Sequence, residues 1–237
     1  MFTKKSFVIS LVLVVGLLFA AAPTKPALAA GELTLNVGAG QAYATLEAAM
    51  AAVPADLDKV TYVLYDDQTF TTTGHGTPDL AMGADVVNLK KAPTVTGEVK
   101  LTLAGVYYGT LNAIGAEFNV EGLTLINGRD KSGEGTDPWE FAYFEPDSAS
   151  VTFTDCKFNN GVMVSIDATF DNCLFSRQPL TFPPDTTDYS LNDYALWIHN
   201  FGDVVVKNST FENFEYGGVK STWNMYATGA DLSLTLQ

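Results

Sequence analysis

A six-residue phrase returns four times in this chain: an apolar residue, any residue, Asn, Asp or Gly, a mostly small residue, any residue, an apolar residue. It reads Val120-Glu121-Gly122-Leu123-Thr124-Leu125, Phe153-Thr154-Asp155-Cys156-Lys157-Phe158, Phe170-Asp171-Asn172-Cys173-Leu174-Phe175 and Val206-Lys207-Asn208-Ser209-Thr210-Phe211. The phrases start 33, 17 and 36 residues apart, close to two, one and two times about 17. Alternating apolar residues broken at a fixed interval by Asn or Gly describe a solenoid of stacked strands. Asp155, Asn172 and Asn208 fall at a tight turn in successive coils. There Asn and Asp tolerate left-handed backbone angles and bond locally, so stacked coils would carry them as a ladder.

Other segments extend or interrupt the pattern. Gly31–Val37, Val60–Tyr65 and Val99–Leu103 alternate like strands. Thr45 opens a helix with Leu46, Ala49, Met50 and Val53 on one face, ended by Pro54. An amphipathic helix of this kind covers the open end of a solenoid. From residue 115 onward the chain resolves into three-strand coils. The first is Trp139–Glu145, Val151–Thr154 and Cys156–Phe158, the next Val162–Ile166, Ala168–Asp171 and Cys173–Phe175, and the third Ala195–His199, Val204–Lys207 and Ser209–Phe211. Insertions at Gly128–Pro138 and Ser176–Asn192 leave the coil between a third strand and the next first strand. They therefore fall on one side, where solenoid loops often carry binding. Gly218–Thr222 and Leu232–Leu236 read as the first two strands of a fourth coil. The pattern stops mid-phrase, which predicts a longer protein with further coils.

The first 29 residues read as a secretory signal. Lys4 and Lys5 precede an apolar run from Phe7 to Ala22, and Ala27-Leu28-Ala29 is a small-residue cleavage site. The run is short of the roughly 20 residues a spanning helix needs. Residues 30–59 then form a cap strand and helix, and residues 60–237 a β-helix. The expected location is secreted, extracellular or at the bacterial cell surface, with no membrane span after cleavage. Removing Lys4, Lys5 and Lys25 leaves ten basic against 27 acidic residues, a balance of −17. That charge excludes nucleic acid and anionic membrane as partners, since both need a basic footprint. Cys156 and Cys173 hold the same place in successive phrases, about 4.8 Å apart if their strands pair in parallel. That separation permits a disulfide, and two buried free thiols are the alternative.

The repeat phrase and the opening Val37-Gly38-Ala39-Gly40-Gln41-Ala42-Tyr43-Ala44-Thr45-Leu46-Glu47-Ala48-Ala49 resemble the pectin-lyase-like right-handed parallel β-helix proteins. Trp139-Glu140-Phe141-Ala142-Tyr143, Ala168-Thr169-Phe170-Asp171-Asn172-Cys173 and Tyr194-Ala195-Leu196-Trp197-Ile198 look most like phrases of secreted or surface β-helix proteins of gut bacteria. The resemblance covers about residues 33 to 237. It implies an all-β, right-handed parallel β-helix with three-strand coils of about 17 residues or more and a capping helix. Its function does not follow from that fold.

Enzymes of this fold cleave pectin and related glycans, so their machinery is the chemistry to seek. Gly74-His75-Gly76 matches a polygalacturonase segment by letters, but Asp66-Asp67 lies outside any coil strand and His75 reads as a loop histidine. Asp167, Asp171 and Asp203 read as turn residues and solvated faces rather than a converging carboxylate pair. Asp130, Glu134, Asp137 and Glu140, beside Arg129 and Lys131, offer oxygens to calcium at a spacing that matches no defined calcium loop. A solvated loop is the simpler reading, and no cofactor is implied. Arg129 and Arg177 lie at insertion edges, and no esterase constellation is legible around them. Asn208-Ser209-Thr210 is a glycosylation sequon by letters and a turn by position.

What remains is a surface. Leu196 and Ile198 should point inward, which turns Trp197 and His199 outward, with Val164 and Lys220 stacked beside Trp197. Tyr194, Trp223 and Tyr226 lie close in sequence, and such a group could stack on a sugar ring. Packing of Trp197 under the Ser176–Asn192 insertion is the simpler reading of that ring. The expected function is a non-catalytic scaffold or adhesin-like module binding neutral glycan. A polysaccharide lyase or hydrolase, or a stalk without ligand, is the alternative.

Overall fold

The computed structural model describes residues 31–55, 57–72, 78–105, 109–127, 143–159, 161–176, 194–199, 202–213, 217–222 and 232–236. The expected signal segment and both expected insertions, apart from Ser176, lie outside them. The described chain is all-β apart from one short helix. It opens with β1 (Glu32–Val37), α1 (Leu46–Met50), β2 (Lys59–Leu64), β3 (Gln68–Thr72), β4 (Val86–Lys91) and β5 (Lys100–Gly105). Then come β6 (Gly109–Glu121), β7 (Thr124–Asn127), β8 (Tyr143–Thr154), β9 (Lys157–Phe158), β10 (Gly161–Val164), β11 (Asp167–Asp171) and β12 (Leu174–Ser176). The last are β13 (Tyr194–His199), β14 (Gly202–Lys207), β15 (Thr210–Glu212), β16 (Gly217–Thr222) and β17 (Leu232–Leu236).

Every pairing between these strands is parallel and joins one coil to the next. One sheet holds 11 strands and the other six, in the order β15-β12-β9-β7-β5-β3. The larger sheet forks at β8. Tyr143 and Phe144 pair with β10, while Ser150–Thr154 pair with β11. From there each coil has three strands, the pattern of a parallel β-helix.

The coils begin earlier and vary more in length than the phrase suggests. Register partners lie 27 residues apart from Glu32 to Lys59 and again from Lys59 to Val86. The separation is 31 from Val86 to Glu117, 33 from Glu117 to Ser150, 17 from Ser150 to Asp167 and 36 from Ala168 to Val204. Separations of 33 and 36 are thus single turns enlarged by insertion, and not two turns of about 17. Coils before residue 115 carry no Asn phrase, which hides β3, β4 and most of β6. In the first phrase-bearing coils the first two strands also run together, as the 13-residue β6 and the 12-residue β8.

Alternation sets the core. Leu35, Tyr62, Leu89, Val120, Phe153, Phe170 and Val206 stand in one in-register column, each at most 4 % exposed. Tyr62 keeps its hydroxyl satisfied by donating to the Leu80 carbonyl at 2.9 Å. On the six-stranded sheet Leu101, Leu125, Phe158, Phe175 and Phe211 form a second column. Stacked rings join neighbouring coils: Phe153 on Phe170 at 5.2 Å, Phe158 on Phe175 at 4.9 Å and Phe175 on Phe211 at 4.7 Å. Fully burying one such ring contributes about 1.5–3 kcal/mol.

The start of the fold is tied by side chains. Thr45 caps α1, accepting from Ala48 N at 3.2 Å, and Gln68 Oε1 accepts from Leu46 N at 3.2 Å. Gln68 in turn donates to Asp66, whose other oxygen accepts from Ala39 N at 2.6 Å. A Cβ at position 38 would stand 2.8 Å from the Asp66 carboxylate at φ +137, so only glycine fits there. The helix stops at Met50, short of Pro54. Bonds from Ala52 N to Ala49 O and Val53 N to Met50 O tighten the chain there and leave Val53 against the core.

Candidate functional site

β13 carries the aromatic surface. Leu196 and Ile198 are wholly buried in the core, and Trp197 between them faces away and is half-buried. Its register partners are Met163 on β10 and Lys220 on β16. Met163 thus takes the place expected for Val164, which pairs with Ile198 and lies in the core. The reason is a change of offset within one coil. β10 and β13 pair 34 residues apart (Val162 with Leu196), while β11 and β14 pair 36 apart (Ala168 with Val204). Counting back 36 residues from Trp197 lands on Gly161, and setting Val162–Ile166 against Ala195–His199 lands on Val164; the true offset of 34 lands on Met163.

The outward side of this face is partly covered, since Met163 keeps 8 % of its surface. Tyr194 and His199 occupy the two ends of β13, in register with Gly217 and Thr222. Trp223 and Tyr226 lie outside the described residues, as do His75, Arg129, Arg177 and the calcium candidates Asp130, Glu134 and Asp137. The described residues contain no group of three or more His, Cys, Asp or Glu that could hold a metal ion. No described helix is long and apolar enough to cross a membrane.

At the tight turn, Gly122, Asp155, Asn172 and Asn208 have φ of 70°, 55°, 53° and 54°. Asn172 Nδ2 donates to Asp155 Oδ1 at 2.5 Å, and Asn208 Nδ2 donates to Asp171 Oδ1 at 2.9 Å. Their backbones follow suit, Asp155 N donating to Asp171 O and Asn172 N to Lys207 O. Asp171 also meets Lys207 at 3.1 Å, and these two donors hold its carboxyl below the usual range. Asp167 accepts from Asp203 N at 2.8 Å. These carboxylates are occupied by turn and coil bonds.

A second polar centre, unseen in the sequence, gathers at Glu98. Thr124 Oγ1 donates to Glu98 Oε1 at 2.7 Å, with Lys157 Nζ at 3.5 Å and Lys100 Nζ at 3.9 Å. The Thr124 bond, followed by the Lys157 charge, lowers the Glu98 carboxyl below its ordinary value. Thr61, Asn88 and Asn119 are likewise joined along the coil axis by amide bonds. Apart from Lys100, both sets link residues 26 to 59 positions apart in the chain, so only the coil register could have shown them.

Cys156 and Cys173 are free and 2 % exposed. Cys156 Sγ lies 3.4 Å from Val120 O and 3.3 Å from Thr154 O; Cys173 Sγ lies 3.5 Å from Phe153 O and 3.6 Å from Asp171 O. Burial pushes Cys156 far above an ordinary thiol, with the Cys173 charge adding to it, and pushes Cys173 up to about 11.

No protein-family model matches the chain, and no curated protein does. Among solved structures it matches the pectin methylesterase from Aspergillus niger in deglycosylated form, at 14% identity and a TM-score of 0.37, over 86% of this chain and 83% of that one. A likeness of that degree bears on neither site nor activity, and the parallel coil is read from the strand register itself.

Proposed function

We propose that the chain is a secreted or cell-surface β-helix module, a non-catalytic scaffold or adhesin-like domain that holds neutral glycan on the β13 face. The observation that carries the reading is Trp197, a half-buried ring on the outward side of a strand whose neighbours are fixed in the core. Such a ring keeps its place without a ligand and still offers apolar surface for a sugar to stack on. Lys220 follows Trp197 in register on β16. The net charge favours a neutral sugar over an anionic one.

The test is retention on immobilised neutral polysaccharides, for the parent chain and Trp197→Ala. Loss of retention, with an unchanged denaturation midpoint, is the expected result. Equal retention by the variant would remove Trp197 from the reading. Turnover of a polysaccharide, or binding that requires a divalent cation, would favour a lyase or hydrolase of the pectin-lyase-like class. The absence of any glycan binding would favour a structural stalk.

A further inference from the structure

The two cysteines are nucleophiles that the proposed function leaves unused. They sit at the same point of adjacent coils. Lys157 pairs with Leu174, the Leu174 N–H donates to Cys156 O at 2.9 Å, and the flanking Phe153 and Phe170 pair in the same register. Neighbouring strands lie about 4.8 Å apart, inside the roughly 4.4–6.8 Å of Cα separation a disulfide accepts. Both thiols are also aimed the same way, each toward a carbonyl of the preceding coil: Cys156 to Val120 O and Cys173 to Phe153 O. Yet both are shut off from solvent, at 2 % exposure among Phe153, Phe158, Phe170 and Phe175. Geometry permits the bond, and the folded core denies an oxidant access to it.

We infer that Cys156 and Cys173 form a folding-gated redox pair, which closes to an intercoil disulfide only while the coils are open and is locked in either state once they stack. The reaction is ordinary thiol–disulfide exchange with a low-molecular-weight disulfide. One cysteine thiolate attacks the reagent disulfide, forming a mixed disulfide and releasing one thiol. The second thiolate attacks the protein sulfur, forming the Cys156–Cys173 bond and releasing the other thiol. The reagent gains two electrons, and the two cysteine protons end on the two released thiols. In the unfolded chain both thiols are exposed and only 17 residues apart, so ring closure is easy. In the folded chain thiolate is scarce, because burial raises both groups, and each step must wait for opening of the core. The inference does not depend on the glycan reading.

The test uses the unmodified chain and oxidised glutathione. Reduced, folded protein is incubated with the reagent, alkylated, and weighed intact; the same is done in denaturant and during refolding from it. The folded chain should react at least about 100-fold more slowly than the unfolded chain, as for groups reached only by opening. Refolding with the reagent should yield an unalkylated species two mass units lighter than the reduced chain before alkylation, with a disulfide between the Cys156 and Cys173 peptides and a higher denaturation midpoint. Reaction of the folded chain at nearly the unfolded rate would overturn the gating. Refolding that leaves both thiols free, or capped only by glutathione, would overturn the pair.

Discussion

At the residue scale, the turn column is where side-chain chemistry decides the backbone. Asn172 holds φ +53 while its amide donates to Asp155. Alanine there would lose that bond and carry the left-handed penalty, each of which costs about 1 kcal/mol. We expect Asn172→Ala to lower stability by roughly 2 kcal/mol, and Asn172→Gly by about half as much, because glycine removes only the bond. Urea denaturation of the two variants checks the order; glycine as costly as alanine would mean that the backbone angle contributes nothing. Glu98 makes a pH prediction. Its carboxyl is held below the ordinary value by Thr124 and the two lysines. A depressed carboxylate contributes stability above its unfolded pKa and loses it as pH falls through the folded one. Stability should therefore fall on acidification through and below the usual glutamate range, and the fall should be shallower in Glu98→Gln. Since Glu98 is 43% exposed, the effect is small, and identical pH profiles for the two chains would refute it.

At the scale of the element, the aromatic columns hold coil to coil. Phe170 lies 5.2 Å from Phe153, 5.9 Å from Phe158 and 5.3 Å from Phe175, and is wholly buried. Phe170→Ala should cost about 3–5 kcal/mol. Phe211, which stacks on Phe175 from a half-buried position at the end of its column, should cost clearly less. Equal losses in denaturant titrations would show that the columns do not work as stacks. Much of this was legible in the sequence. The phrase placed Phe153, Phe170, Asp155, Asn172 and Asn208 because alternation and left-handed turns are local properties, written in adjacent residues. Insertion length is not local, so spacings of 33 and 36 look like two turns each, and the neighbour of Trp197 came out one residue late. Glu98, Asp66 and Gln68 were invisible for the same reason, since each also takes a partner distant in the chain: Thr124 and Lys157 for Glu98, Ala39 for Asp66 and Leu46 for Gln68.

At the scale of the molecule, the coils of a solenoid touch only their neighbours along one continuous core, so charge carried on successive coils accumulates along the stack. The full chain carries −14, and its described ion pairs are few: Lys59 with Glu32, Lys100 and Lys157 with Glu98, and Lys207 with Asp171. Each is partly solvated, and an exposed pair contributes about 0–1 kcal/mol. The remaining acids repel one another along the stack, and that repulsion opposes folding. Raising salt from about 0.01 M to about 0.15 M shortens the screening length from roughly 30 Å to roughly 8 Å. Repulsion over longer distances should be screened more than these contact pairs, so the thermal midpoint should rise. A midpoint that falls with salt would mean that the Glu98 and Asp171 pairs outweigh the summed repulsion. In that case the attraction within these pairs, and not the net charge, would set how the stack responds to salt.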